Sequence, residues 1–334
     1  MLKGKLANIL QKSDDNSFTI IRKKYGRGFQ FFDESGNKIK NKVLLKRLQE
    51  LIIPPMWSSV SICKWEDGHI QATGRDAKGR KQYIYHSEWE KHRQQRKFKK
   101  MADFGRSLPK IRKIIDKHVR IKSWSKNKIL ALMVTVLDDT GIRIGNRQYA
   151  ERNGTYGLST LRRKHFDLED DKLVFEFKGK SNKVRNVEID DSELVELIKK
   201  SADLPGYELF RYMDESGKMQ NVDSDEVNSY IHQFMGKKFS SKDFRTWVAS
   251  RLAVELYPAA LEIHKDKKRS KFTNIVLRLV ADELGNTPTV CRSYYIHPEI
   301  LRKIEDQSIK IIKNEYQPFK TTLSDSEKYL LGNI

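Results

Sequence analysis

Cysteine is almost absent from this chain of 334 residues: Cys63 and Cys291 stand far apart, and neither belongs to a CxxC or Cys/His pair. A disulfide scaffold and a zinc finger are thereby excluded. Long apolar runs are missing too. None approaches the roughly 18 residues of a membrane span, and the opening MLKGKLANILQK lacks the apolar core and small-residue cleavage site of a secretory leader. The expected setting is a reducing, cytoplasm-like compartment, with no membrane partner. No G-x-x-x-x-G-K-[ST] loop occurs, so nucleotide hydrolysis has no support. There is no DxD or H-E-x-x-H spacing, and the acidic pairs Asp138-Asp139, Asp170-Asp171 and Asp190-Asp191 read as turn residues or helix caps. No metal centre is expected from them. Acidic residues are in overall deficit, 44 against 65 Lys and Arg, for a formal charge of +21. A polyanion is the expected partner; an anionic membrane fits less well, because no basic amphipathic helix stands beside an apolar anchor.

What is present suffices for more than one core. Apolar residues make up 38% of the chain and aromatics 10%, and the length favours two domains. Residues 18 to 86 read mainly as strands. FTIIRKKYGRGFQFFDESGNKI and VSICKWEDGHIQATGRDAKGRKQYIYH carry β-branched and aromatic residues broken at glycine turns, and a short helix, NKVLLKRLQEL, ends at Pro54-Pro55. From Ser87 the pattern turns helical, with Pro109 expected to separate two helices. ILALMVTVL reads as a buried helix ending near Thr140-Gly141, and KLVFEFKGKSNKVRNVEI as a hairpin. DSELVELIKKSA, SDEVNSYIHQFM, KDFRTWVASRLAVELY and FTNIVLRLVADEL are further helices. The expected class is α+β: a small β-rich N-terminal domain, residues 1–88, and a larger, mostly α-helical domain with an embedded hairpin, residues 89–334.

Without a metal, phosphoryl transfer needs cations to take the charge that develops on the non-bridging oxygens, a task suited to Arg forks. Arg143 in TGIRIGNRQY follows a glycine turn at the end of the apolar helix. Arg245 in KDFRTWVASRL is placed in the first turn of its helix, where the amide dipole also favours phosphate. Lys180, at the tip of KGKSNK, suits a general acid, because a leaving alkoxide is far more basic than a tyrosine phenolate with its pKa of about 10. LGNTPTVCRSYYIHPEI adds the hydroxyls of Tyr294 and Tyr295 and the amide of Asn286. Each of these also has a plain structural reading, as exposed cation, solvated turn or packed aromatic. On neighbourhood alone the two tyrosines are indistinguishable.

The order of these pieces, GIRIGN, FKGK, KDFRTW, then LGNTP and SYYIHP, resembles type IB DNA topoisomerases of the compact poxvirus and bacterial kind. IPPMW, GHIQATGRDAKGRKQYIYH and YGLSTLRRKH look like further family segments, so the resemblance spans roughly residues 18 to 300. It implies a C-shaped clamp around duplex DNA, working as a monomer. It implies cleavage of one strand through a 3′-phosphotyrosyl bond, rotation and religation, with neither ATP nor metal as cofactor. By motif register Tyr295 is the implied nucleophile, and Tyr294 is expected to face into packing. Arg143 and Arg245 would hold the non-bridging oxygens, with Lys180 as leaving-group acid and the basic Lys242 near the scissile phosphate. Asn286 departs from the poxvirus histidine and matches the bacterial pattern. Arg80, Gln82, Tyr83 and Tyr85 correspond to residues that meet DNA, though alternation on one strand face equally fits packing of the small core. The implied locations are the bacterial nucleoid or, for a viral chain, virion or host cytoplasm.

Two other functions compete. A tyrosine recombinase would use similar Arg, Lys and Tyr roles, but the β-rich N-terminal part and Lys242, where recombinases carry the histidine of an H-x-x-R box, speak against it. A non-catalytic basic DNA-binding protein would share the charge and lack the cleavage.

Overall fold

The computed structural model describes residues 10–169, 171–267, 269–312 and 315–334; the N-terminal stretch through Ile9 and Asp170, both read above, lie outside the described residues. The chain divides into two compact units, one reaching to Lys97 and one starting at Phe98.

The first unit is built on an antiparallel sheet of β1 (Ile20–Tyr25), β2 (Gly28–Phe32), β3 (Ser58–Ile62), β4 (Ile70–Arg75) and β5 (Lys81–Tyr85), in the order β2-β1-β3-β4-β5. Helix α1 (Lys42–Glu50) starts at the cap of Asn41, whose side chain accepts from Leu44 N. Its Leu48 joins Ile20, Phe31, Val60, Ile62 and Ala72 in the core. Arg22 points inward from β1 and donates to the carbonyls of Ile53, Pro54 and Trp57 at 2.8, 2.9 and 2.9 Å. The IPPMW segment is thus fixed by one buried guanidinium, because prolines cannot supply the amides that would order it otherwise.

Helix α2 (Ser87–Lys99) is followed by α3 (Met101–Val119). The break expected at Pro109 lies at Lys100 instead, and Pro109 sits inside α3. A proline in a helix interior costs about 3 kcal/mol. Here Phe104, Leu108, Ile111 and Ile115 are buried on both sides of it, and each fully buried side chain contributes about 1.5–3 kcal/mol, so burial wins over the local penalty.

Helix α4 (Lys126–Thr140) is the buried helix the apolar run predicts, and Gly141 ends it in the left-handed conformation, φ 61°. Then come α5 (Arg147–Asn153) and a three-stranded sheet, β6 (Phe166–Glu169), β7 (Lys172–Lys178) and β8 (Val184–Ile189), in that order. The hairpin is therefore two strands of a sheet of three. Asp191 caps α6 (Ser192–Ala202) by accepting from Leu194 N. A two-stranded ribbon, β9 (Arg211–Met213) and β10 (Met219–Asn221), precedes α7 (Ser224–Met235) and α8 (Ser241–Glu255). The remaining helices are α9 (Tyr257–Asp266), α10 (Phe272–Leu284), α11 (Pro288–Tyr294), α12 (Pro298–Glu305) and α13 (Asp325–Gly332).

Helix α8 is the centre of this unit. Phe244, Trp247, Val248, Ala249 and Ala253 are completely buried, and so, nearly, are its polar residues Arg245, Thr246, Ser250 and Arg251. A helix buried on every face has no polar stripe, so each of those polar groups must find a partner inside. Where they find it defines the site.

Candidate active site

Arg245 is 5% exposed. It is the fifth residue of α8, past the first turn where the sequence reading placed it, so the amide dipole of α8 does not serve it as proposed. Its guanidinium reaches two other helix ends, donating from Nη1 to Gly141 O at 2.6 Å and from Nη2 to Leu284 O. The first is the carbonyl of the residue that caps α4 and the second the last carbonyl of α10; helix ends leave such carbonyls without an intrahelical partner and carry the partial negative charge of the dipole. Burial pushes the Arg245 guanidinium down to about 10; Arg143 adds to the fall, and Tyr295 opposes it. It stays charged at neutral pH.

The turn at Gly141 carries the chain from α4 into the segment bearing Arg143. Leu158 N donates to Arg143 O at 2.9 Å and Ser159 N to Ile144 O at 2.7 Å, while Tyr156 N donates to Lys178 O at 2.7 Å. GIRIGN, YGLST and the β7 strand are thereby laced together by backbone bonds. At the end of α10, Gly285 adopts φ 53° and Asn286 N returns to Ala281 O at 2.9 Å. That turn delivers Asn286 to Arg143: Arg143 Nη2 donates to Asn286 Oδ1 at 2.5 Å. The other end of the amide, Nδ2, is buried without an acceptor, and so is Arg245 Nε.

Thr287 caps α11, accepting from Val290 N. Tyr295 stands just past its end, at φ −124°, ψ −41°. Its half-buried ring packs on the core, with the Arg245 guanidinium 5.3 Å from its centroid. Ser250 pins this corner: its hydroxyl donates to Tyr295 O at 3.3 Å and accepts from His297 N at 2.9 Å. Tyr294 is 42% exposed, so the expectation that it packs inward is corrected. At the helix end, the inward position falls to Tyr295 and the outward one to Tyr294.

Lys180 is exposed and opens a single 3-10 turn, Lys180–Asn182, in which Ser181 and Asn182 have positive φ. Lys242, in the first turn of α8, is exposed as well. Its neighbour Asp243 completes the capping box by accepting from the N-cap Ser240 N at 2.9 Å, and pairs with Lys100 at 2.6 Å.

In the first unit, Tyr83 and Tyr85 lie on β5, at the edge of the sheet. Their rings stack at 5.9 Å with an interplanar angle of 17°, and Tyr83 is 40% exposed. Ile84 between them faces the core. The reading that the tyrosines fill that core is therefore wrong; alternation gives the core to Ile84 and presents the aromatic pair outward. Arg80 and Gln82 are engaged within the turn, both reaching Asp76, at 2.7 and 2.9 Å. Asp76 is held at about 2 by the Arg80 hydrogen bond.

Spacing alone did not reveal Arg185, Ser250 or Arg251. Arg185 is 9% exposed and donates to Asp282 O at 3.3 Å and Glu283 O at 2.9 Å; Arg251 donates to Asp138 O at 3.1 Å and Asp139 O at 2.6 Å. The one available signal was a basic or polar residue inside an apolar pattern, at VRNVEI and WVASRLAV.

Arg143, Arg185 and Arg245 form no ion pair with a carboxylate among the described residues, whereas Arg112 pairs with Asp138 and Glu327, and Arg251 with Glu255. Burial lowers Arg185, and Arg143 lowers it further. Three guanidinium groups within electrostatic reach, held by carbonyls and joined in no carboxylate ion pair among the described residues, with Glu283 acting only on Arg185 and at longer range, make an anion site next to a phenol. Among the described residues no group of three or more His, Cys, Asp or Glu could hold a metal ion, and no helix is long and apolar enough to cross a membrane.

Residues 86–323 match the family described as the catalytic core of eukaryotic DNA topoisomerase I, and residues 28–76 match the N-terminal domain of bacterial DNA topoisomerase IB. The DNA topoisomerase 1B of Acanthamoeba polyphaga mimivirus is 31% identical over 284 residues, 83% of this chain and 84% of that one. The chain belongs to the type IB DNA topoisomerases. The DNA topoisomerase 1B of Vaccinia virus (strain Copenhagen) is 26% identical over 292 residues, covering 84% of this topoisomerase and 89% of its own length. Among solved structures, the XerH site-specific recombinase bound to a palindromic difH substrate, in a post-cleavage complex, is similar over 60% of this chain and 50% of that one, with a TM-score of 0.38 and 21% identity.

Proposed function

We propose that this topoisomerase relaxes supercoiled duplex DNA with Tyr295 as nucleophile. The Tyr295 phenol oxygen attacks a backbone phosphorus and releases its proton to solvent. The bond from phosphorus to the 5′ oxygen breaks, Lys180 gives that oxygen a proton, and the products are a 3′-phosphotyrosyl bond and a free 5′-hydroxyl. The strand rotates, and the reverse reaction reseals it, with Lys180 taking the proton back.

Arg143, Arg245 and Asn286 hold the non-bridging oxygens. The observation that carries the reading is the pair of buried donors without acceptors, Asn286 Nδ2 and Arg245 Nε, beside a phenol ring 5.3 Å from Arg245. A buried unpaired donor costs about 1–3 kcal/mol, a cost removed when a phosphoryl oxygen arrives. Donors fixed in advance where charge develops are the largest single contribution in such reactions. Lys242 steadies the phosphate strand near the cleavage point. The outward pair Tyr83 and Tyr85, with Arg80 and Gln82, meets the DNA from the first unit, and the two units close around the duplex as a monomeric C-shaped clamp.

The test is direct. Incubated with supercoiled plasmid in EDTA without ATP, the protein yields relaxed topoisomers; unchanged supercoiling would leave a non-catalytic DNA-binding protein, and strand exchange between two sites would indicate a recombinase. On a suicide DNA that traps the covalent complex, Tyr295→Phe abolishes the adduct and Tyr294→Phe retains it. The opposite pattern would show that the register is wrong.

A further inference from the structure

We propose that Arg185 is a positioning residue that sets the Lys180 turn against the Asn286 turn, so that the proton donor and the phosphate cradle keep one register. The inference rests on the reading of Lys180 as the leaving-group acid.

Arg185 lies on β8, opposite Phe177 of β7, and shares the inward face of its strand with Val187 and Ile189. A cation is an unusual choice there, since a buried charge needs compensating partners. The only described hydrogen bonds of its side chain go to Asp282 O and Glu283 O, at the end of α10.

Two glycines make room for it. A Cβ on Gly285 would sit 1.7 Å from Arg185 Nη1, so the guanidinium lies flat against that glycine. A Cβ on Gly179 would sit 2.8 Å from Arg185 Cγ. Gly285 immediately precedes Asn286 and Gly179 immediately precedes Lys180. One side chain therefore runs from the foot of the lysine turn to the foot of the asparagine turn, touching the backbone of both. The Lys180 turn is closed by its own backbone, Gly179 N to Lys183 O at 2.8 Å and Asn182 N to Gly179 O at 3.1 Å, and Tyr156 N ties Lys178 O to the YGLST segment at 2.7 Å. Those bonds shape the turn and fix the end of β7, but among the described contacts it is Arg185 that reaches from this turn to the one bearing Asn286.

Gly179→Ala isolates the effect. Gly179 has φ −92°, which alanine adopts, so the added methyl meets only Arg185 Cγ closely, its next neighbour being Lys183 O at 3.6 Å. Cleavage is measured on two DNAs, one with the normal 5′ oxygen and one with sulfur in its place. A leaving thiol has a pKa near 8.5 and departs without a proton donor. On the oxygen substrate, Lys180→Ala, Arg185→Ala and Gly179→Ala are each slowed, the last two by about ten- to a hundredfold, less than the roughly 10²–10⁴ of a general acid lost outright, because the acid is displaced and not removed. On the sulfur substrate all three return to the wild-type rate, and Gly179→Ala adds nothing in the Arg185→Ala background. If Lys180→Ala is rescued by sulfur while Arg185→Ala and Gly179→Ala remain slow, Arg185 serves the cradle or the fold and the proposal fails. If Lys180→Ala itself is not rescued, Lys180 is not the acid and both readings fall. Gly179→Ala removes no hydrogen bond, so it decides the question even if Arg185→Ala does not fold.

Discussion

Replacing Glu327 by alanine is expected to loosen the whole catalytic unit. Glu327 is completely buried and lies on α13, beyond the last residue of the family match. Its Oε1 accepts from Arg112 Nη2 at 2.6 Å and Trp247 Nε1 at 2.9 Å; its Oε2 accepts from Arg112 Nη1 at 2.8 Å and Ser324 N at 3.0 Å. Removing one member of such a buried network costs about 3–5 kcal/mol, because the remaining charge keeps its desolvation penalty. The ionisation of the carboxyl reflects the same network. Burial alone would push this carboxyl up; the hydrogen bond and charge of Arg112, followed by Arg251 and Trp247, overcome it and hold the group at about 2, against an ordinary 4.5. That gap corresponds to about 3 kcal/mol. The sign follows from the depressed value: the stabilisation is complete above the unfolded pKa and is lost as pH falls through about 2. At about 2–4 °C per kcal/mol for a domain of this size, Glu327→Ala lowers the melting temperature by roughly 10 °C near neutral pH. Calorimetry of both proteins from neutral pH down to about pH 3 should show the gap narrowing below about 4.5, because the unfolded wild-type chain takes up the proton there while the native carboxyl, held at about 2, keeps its charge. A gap under about 2 °C at neutrality, or one that ignores pH, would refute the account.

Three further outcomes follow from the site. Asn286→His places a group with a pKa near 6.5 against Arg143, so the variant's cleavage rate gains an inflection close to or below pH 6.5 that the wild type lacks; a strong inflection in the wild type between about pH 6 and 7 would contradict an amide that carries no proton charge. Arg245→Lys keeps the charge but cannot reach Gly141 O, Leu284 O and a phosphate at once, and it should lose about 10²–10³ in cleavage rate; near-normal cleavage would remove Arg245 from the cradle. In a salt titration of DNA binding, Lys242→Ala reduces the slope by about 1, whereas Tyr83→Ala weakens binding at an unchanged slope; a changed slope for Tyr83→Ala would mean that its ring does not meet the bases or sugars.

Some of this architecture is legible in the sequence because a single local cause decides it. ILALMVTVL followed by Gly141 can only be a buried helix with a left-handed stop, and Pro54-Pro55 cannot continue α1. Where two causes compete, the sequence does not rank them. Pro109 ends a helix by its own chemistry and fails to do so because α3 buries a full apolar face on both sides of it. The choice between Tyr294 and Tyr295 came from family register, and the exposure difference between them depends on where α11 stops, which is set by packing around Ser250 on α8. Arg185 was illegible for a different reason: its partners are backbone carbonyls of α10, and a carbonyl leaves no mark on a sequence.

That last point bears on how the site works. A cluster of buried arginines usually keeps carboxylates close, as Arg112 does with Asp138 and Glu327. Carboxylates at the cradle would hold the guanidinium groups equally well, but they would also repel an incoming phosphate and compete for the same donors. Helix ends avoid both effects. The terminal carbonyls of α4 and α10 accept from Arg245, and those of α10 from Arg185, orienting the forks while contributing only partial negative charge. After burial, the nearby charge of Arg143 lowers both Arg245 and Arg185, a repulsion that an anion relieves. Charge balance is instead restored one layer further out, where Arg251 grips the α4 terminus through Asp138 O and Asp139 O and pairs with Glu255. On this view the ion pairs of the outer layer hold the helices rigid, and the inner-layer cations, in no carboxylate ion pair among the described residues, are left for an anion, which in the proposed function is the DNA phosphate.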